Sequence, residues 1–205
     1  MSEEADLTQE ERRHEERSRK HKAVVDARIA AAKVDKGLVL VLTGNGKGKS
    51  SSAFGMVARS LGYGRTAAVF QFIKSKEDVG ERAFLARQPG VSWENCGEGF
   101  TWETQNRRRD IAMAQAGWEK AKLALADPEV SLVVLDELTY LINYRYLSLD
   151  EVLPPIRDRP PMQHVVITGR AAHDELIALA DTVSTIRDEK HAFRAGVRAQ
   201  IGIDL

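Results

Sequence analysis

One cysteine stands in 205 residues. Cys96 has no second cysteine to pair with, so no intramolecular disulfide holds the fold, and a reducing cytoplasm is the expected compartment. No basic segment followed by an apolar run and a cleavage site opens the sequence. Nor does any apolar run approach the roughly 20 residues that span a bilayer, so a soluble protein without a membrane partner is expected. Net charge is lacking as well: 30 Lys and Arg balance 30 Asp and Glu. With no basic excess, nothing global asks for a nucleic-acid partner. Aromatic residues are scarce, and those outside the apolar runs therefore call for a reason.

The composition changes sharply along the chain. Residues 1–36 are rich in charge and alanine, without Pro or Gly before residue 37. Opposite charges recur four apart, as in Glu15 with Arg19 and Glu16 with Lys20, which supports an exposed helical arm. Val25, Ile29 and Ala32 form a narrow apolar stripe near its end. Two readings stand: the arm docks on another surface, a second subunit included, or it is a solvated tail.

From residue 37 to 205 short apolar runs alternate with helical patterns, the mark of crossover units and a mostly parallel sheet. Strands are expected at 38–43, 67–73, 131–136, 164–168 and 182–186. Helices are expected at 49–61, 81–87, 105–126, 149–158 and 174–180. Ser148-x-x-Glu151 reads as a capping box, and "GYG" at 62–64 as a stop for the first of these helices.

The chemistry begins at "VLTGNGKGKSSSAFG", residues 41–55. This glycine-rich loop follows an apolar strand and precedes a helix, the setting in which backbone N–H groups and a helix N-terminus cradle phosphate. Gly44, Asn45, Gly46, Lys47, Gly48, Lys49 and Ser50 form the candidate nucleotide site, with Lys49 neutralising phosphate and Ser50 offering its hydroxyl to Mg2+. The pattern G-x-x-x-x-G-K-[S/T] would begin with glycine where Thr43 stands. A dinucleotide fingerprint starting at Gly44 fails, because Lys49 occupies its last glycine.

"LVVLDEL" at 132–138 runs an apolar strand into Asp136 and Glu137. Carboxylates at that end of a parallel strand lie on the ligand edge, where one or both can hold Mg2+; the second can instead position a water. In "GEGFTWETQNRRRD", Phe100 and Trp102 sit in a glycine-flanked segment before a helix. Either the loop folds back on the core, or the two rings form a platform for a flat, partly apolar ligand. Arg170 ends another strand, within reach of a phosphate or a carboxamide rim, or of a surface ion pair. His164 and His173 read as packing or capping residues, since no second His or Cys sits at ligand spacing.

Taken together, "TGNGKGKSSSAFG", "QFIK", "GFTWETQN", "VVLDELTY", "VITGR", "ADTVS" and "KHAFRAGVRAQIGID" resemble, in order, the ATP:corrinoid adenosyltransferases of the P-loop type. The resemblance implies a RecA-like, three-layer P-loop fold that moves the 5′-deoxyadenosyl group of ATP to the Co(I) centre of a reduced corrinoid and releases tripolyphosphate. It implies Mg2+, or Mn2+ in its place, as cofactor. Ser50 and Glu137 would be metal ligands with Asp136 beside them. Lys49, Phe100 and Trp102 would be catalytic, the two aromatics crowding the lower corrin face so that Co(II) loses an axial ligand and is reduced more readily. Arg170 would touch the corrinoid. A homodimer in which the arm covers the partner's site, a reduced flavoprotein as electron donor, and ATP bound in reverse with its γ-phosphate where other P-loop enzymes place the β-phosphate are also implied. Ser50-Ser51 departs from the usual Thr-Thr, and Ser75 from a common glycine. Without the aromatic loop, the P-loop and Walker B strand alone fit a RecA-like ATPase or small-molecule kinase, or a regulatory nucleotide-binding module.

Overall fold

The computed structural model describes residues 9–73, 80–97 and 107–203, and the chain falls into two compact units, Met1–Asp35 and Lys36–Leu205. Among the described residues of the first, one helix forms, α1 (Gln9–Ala31), with no buried residue. Glu16 and Lys20 pair at 2.7 Å, as their spacing predicts, and Lys22 pairs with Asp26 at 2.6 Å. Exposed pairs of this kind contribute about 0.3–0.5 kcal/mol each. The stripe residues Val25 and Ile29 remain 37% and 67% exposed.

The second unit is built on six parallel strands: β1 (Val39–Thr43), β2 (Ala67–Gln71), β3 (Val91–Asn95), β4 (Leu132–Asp136), β5 (His164–Thr168) and β6 (Thr182–Thr185), in the order β3-β2-β4-β5-β1-β6. The helices are α2 (Lys49–Gly62), α3 (Gly80–Leu85), α4 (Arg107–Ala126), α5 (Leu138–Asn143), α6 (Leu149–Arg157) and α7 (Asp174–Leu179). Strand alternation sends Val41, Phe70, Leu135 and Ile167 into a core with Trp118 and Leu125 of α4 and Ile156 of α6. Leu42, Val69, Val134 and Val166 enter a second core with Ala53, Phe54 and Val57 of α2. Burial on both faces explains why these strands read as continuous apolar runs. It also makes the unit a three-layer α/β domain of the P-loop NTPase-like kind, with each large buried side chain contributing about 1.5–3 kcal/mol.

Among the described residues, one strand and one α-helix lie outside those expected from sequence, as does a 3-10 turn at Ala192–Ala195. β3 is an edge strand with the sequence VSWEN and no fully buried residue, so it carries little of the apolar signal that marks a strand. Its anchor is Trp93, whose ring meets Phe54 at 5.0 Å. α5 is only six residues long, too short to show a helical period, and follows Glu137 directly. β6 is the other edge; all four of its residues are exposed.

Register sets the site. Gln71 pairs with Asp136, Leu42 with Thr168, and Thr43 with Thr185. The carboxyl ends of β1, β2, β4, β5 and β6 therefore finish at one level. The loops that leave them, including the phosphate loop, Glu137 and Gly169-Arg170, emerge at one edge, and β5 stands between the phosphate-loop strand and the Asp136 strand.

Chain punctuation follows the sequence reading. After α2 the chain turns at Tyr63 and Gly64, whose N–H groups donate to Ser60 and Leu61. At α6 the capping box is complete: Ser148 Oγ accepts from Glu151 N, and Glu151 Oε2 accepts from Ser148 N at 2.8 Å. These bonds hold the Glu151 carboxyl below its ordinary pKa, the backbone bond foremost. A carboxyl with a depressed folded pKa stabilises above its unfolded pKa, and that contribution is lost as pH falls through the folded value. Ser148→Ala is expected to cost about 1 kcal/mol at neutral pH. In urea melts the gap to wild type should narrow as pH drops through the Glu151 titration; a gap independent of pH would contradict the assignment.

Candidate active site

The phosphate loop is strapped from behind. Ile186, just past β6, donates its N–H to Thr43 O at 2.8 Å, and Gly46 N–H donates to Ile186 O at 2.8 Å. Gly44 adopts φ 97 and lies so close that a Cβ would fall 2.4 Å from Ile186 O. Gly48, with φ 113, caps α2 without any side-chain cap, so the first N–H groups of this helix are offered to an anion by the backbone itself. Lys49 Nζ donates to Gly46 O at 2.6 Å, across the loop it follows.

Thr43, where the usual pattern has glycine, ends β1 and is 8% exposed. Its Oγ1 accepts from Ala172 N at 3.2 Å. The side chain ties the start of the phosphate loop to the loop after β5, a link that glycine would not provide.

A second group of bonds runs under the edge. Asp136 is wholly buried. Its Oδ2 accepts from Gln71 Nε2 at 3.1 Å and its Oδ1 from Thr168 Oγ1 at 2.7 Å. Gln71 Oε1 accepts from the Trp93 indole at 3.0 Å, and Thr168 Oγ1 accepts from Glu137 N at 2.9 Å. Four strands are thereby joined side chain to side chain. Glu137 itself sits at φ 64, a left-handed conformation that costs a non-glycine residue about 1–2 kcal/mol.

The loop after β5 is fixed from α5. Thr139 Oγ1 donates to Arg170 O at 2.7 Å, and Asn143 Nδ2 donates to Arg170 O and Ala171 O at 3.3 and 3.2 Å. The Arg170 backbone is held while its side chain is exposed. His164 and His173 do pack and cap: their Nδ1 atoms accept from Leu38 N and Glu175 N.

These pieces enclose a cleft of about 590 Å3. Asn45 through Ser51 form one wall, Glu137, Tyr140 and Arg170 another. Of the site residues expected from sequence, the cleft gathers Asn45 to Ser50, Glu137 and Arg170; Gly44 lies behind the loop and Asp136 beneath the floor. Phe100 and Trp102 fall outside the described residues. Six lining residues were not singled out beforehand: Glu81, Tyr140, Asp188, His191, Arg194 and Ile203. Burial raises the Tyr140 phenol above its ordinary pKa, with Glu137 adding to the shift and Arg170 opposing it, so at neutral pH it is a protonated donor. Asp188 and Arg194 form an ion pair, and His191 Nδ1 accepts from Phe193 N. His191, Arg194 and Ile203 lie in the motif-bearing tail and Asp188 just before it, where only the course of the chain back past the phosphate loop reveals their place.

The phosphate loop makes separable demands on its glycines. Gly48→Ala meets nothing within 4 Å, so it should cost only the left-handed strain, about 1–2 kcal/mol. Gly44→Ala adds a backbone clash with Ile186 and should lose more, in both urea stability and ATP affinity; equal losses would contradict the strapping.

The sequence of this chain from residue 35 to 205 matches the family model described as "ATP:corrinoid adenosyltransferase BtuR/CobO/CobP". It is 55% identical over 197 residues to a Pseudomonas aeruginosa protein named corrinoid adenosyltransferase, covering 96% of this chain and 97% of the relative. It is 50% identical over 192 residues to the corrinoid adenosyltransferase CobA of Salmonella typhimurium, covering 94% and 97%. A Sinorhizobium corrinoid adenosyltransferase is 42% identical over 204 residues, covering 98% and 95%.

Proposed function

We infer that this chain, which belongs to the ATP:corrinoid adenosyltransferase family, transfers the adenosyl group of ATP to a corrinoid at the cleft described above. What carries the reading to this site is the gathering of the phosphate loop, Glu137 and Arg170 on one open edge of the sheet. A RecA-like ATPase or small-molecule kinase is not favoured, because the relatives that cover nearly the whole chain carry the adenosyltransferase name.

The chemistry divides simply. Co(I) brings its own electron pair to the ribose C5′, the C5′–O bond breaks, and tripolyphosphate leaves with the bonding electrons while cobalt becomes an alkylated Co(III). No protein base is needed to make the nucleophile. The protein's task is to hold C5′ in line with cobalt and to receive the charge that develops on the leaving oxygen. The phosphate-loop backbone leading into α2, the α2 N-terminus and Lys49 suit that task, because they concentrate positive potential around a polyphosphate. Their hold on the γ-phosphate end would leave C5′ facing outward.

Ser50 and Glu137 line the same cleft and offer hard oxygen donors, the kind that Mg2+ or Mn2+ takes together with phosphate oxygens and water. Bound there, the ion would neutralise the leaving group. Asp136, buried beneath, is placed to support Glu137 rather than to meet the ion itself. Arg170, at the rim, suits a carboxamide or a phosphate of the corrinoid. Phe100 and Trp102 keep the role that the family resemblance gives them, below the corrin ring. α1, with its exposed Val25 and Ile29, suits a helix that covers the partner's site in a homodimer. A cytoplasmic setting with a reduced flavoprotein as electron source completes the reading.

Two variants test the division of labour, with formation of the light-sensitive alkylcobalt followed by absorbance. Lys49→Ala should slow the reaction by about 10²–10³-fold, the scale of losing one group that stabilises developing charge. Trp102→Ala should spare turnover of chemically supplied Co(I) and impair turnover that starts from Co(II). Equal loss from both starting states would contradict the role assigned to Trp102.

A further inference from the structure

Thr168 carries no charge and lies beneath the cleft floor, 0% exposed, yet its hydroxyl is where two parts of the site meet. It donates to Asp136 Oδ1 at 2.7 Å and accepts from the Glu137 N–H at 2.9 Å. The direction of these bonds follows from the far end of the chain. The Trp93 indole can only donate, so Gln71 must turn its oxygen to Trp93 and its NH2 to Asp136. The Asp136 carboxylate then accepts from Gln71 and Thr168, so the Thr168 proton is directed to Asp136. Its lone pair is left facing Glu137.

Glu137 needs that partner. At φ 64 and ψ 21 it occupies a region that a residue with a Cβ enters at a cost. Two bonds hold it there from opposite sides: its N–H on Thr168, and its carbonyl, which accepts from Tyr140 N at 3.1 Å at the start of α5. This left-handed residue alone joins β4 to α5, and its side chain lies at the cleft. We propose that Thr168 is a positioning residue for the reaction: polarised through Trp93, Gln71 and Asp136, its hydroxyl locks the Glu137 backbone and thereby sets where the Glu137 carboxylate meets the metal–nucleotide complex. The proposal rests on the reading of Glu137 as a metal ligand.

The test compares Thr168→Val, which keeps the shape and removes the hydroxyl, with Thr168→Ser, which keeps the hydroxyl. Affinities for Mn2+·ATP and for ATP in chelator are measured by calorimetry, without any corrinoid. Thr168→Val should weaken Mn2+·ATP by about tenfold and leave metal-free ATP within about twofold, while Thr168→Ser restores the wild-type values. A merely structural role would weaken both forms alike, and that result, or an unchanged Mn2+·ATP affinity in Thr168→Val, would overturn the proposal. Should Thr168→Val fail to fold, Trp93→Phe at the half-buried end of the chain reads the same relay. A loss of about two- to threefold confined to Mn2+·ATP supports it, and no loss overturns it. A wild-type protein that binds both forms equally would instead remove the metal role of Glu137 and the proposal with it, a failure distinct from that of Thr168 alone.

Discussion

The carboxyl edge of this domain depends on one carboxylate that no water reaches. An ionised side chain without partners at full burial would cost several kcal/mol; the parallel register sets Gln71 directly across from Asp136, and Thr168 meets it on the other flank. Each donor comes from a different strand. A slip of β2 by one residue would turn Gln71 to the opposite face and take its donor away from the carboxylate. Packing of the apolar strands is tolerant of exchange; this polar junction is not, and it fixes which strands can be neighbours at the level where the loops depart.

Above the junction the site is assembled from parts held by backbone. Ile186 straps the phosphate loop, α5 pins the loop that carries Arg170, and Thr43 joins the two loops through Ala172. Three loops at this edge are thereby tied to one another and to α5 through their backbones. Such an arrangement suits a transfer in which the nucleophile arrives with its own substrate, because distance and alignment between two bound molecules are what the protein has to supply.

Much of this was legible in the sequence, and the limits have physical causes. β1, β2, β4 and β5 announced themselves because both faces of the sheet are covered there, so "LVLVL" and "LVVL" run as unbroken apolar stretches. The capping box at Ser148 and Glu151 and the phosphate loop were readable because each is local. β3 was not, since an edge strand such as VSWEN buries too little to leave a pattern, and α5 was not, since six residues do not complete two helical turns. Within the site, Lys49, Ser50, Glu137 and Arg170 were found by their place after strands. Thr168 and Gln71 were read only as strand residues within "VITGR" and "QFIK", His191 and Arg194 only as part of a tail motif, and Asp188 not at all. Their roles come from long-range contacts, between residues 22 to 65 positions apart along the relay from Trp93 to Thr168, which no short motif encodes.

We propose the phosphate loop as a grip on a leaving group, with no water to be activated. Phosphorus NMR of a reaction containing ATP, Mg2+ and a Co(I) corrinoid separates the two cases directly. Intact tripolyphosphate appearing in step with the alkylated corrinoid is the expected result. ADP and orthophosphate as the main products, with no cobalt–carbon bond formed, would contradict it.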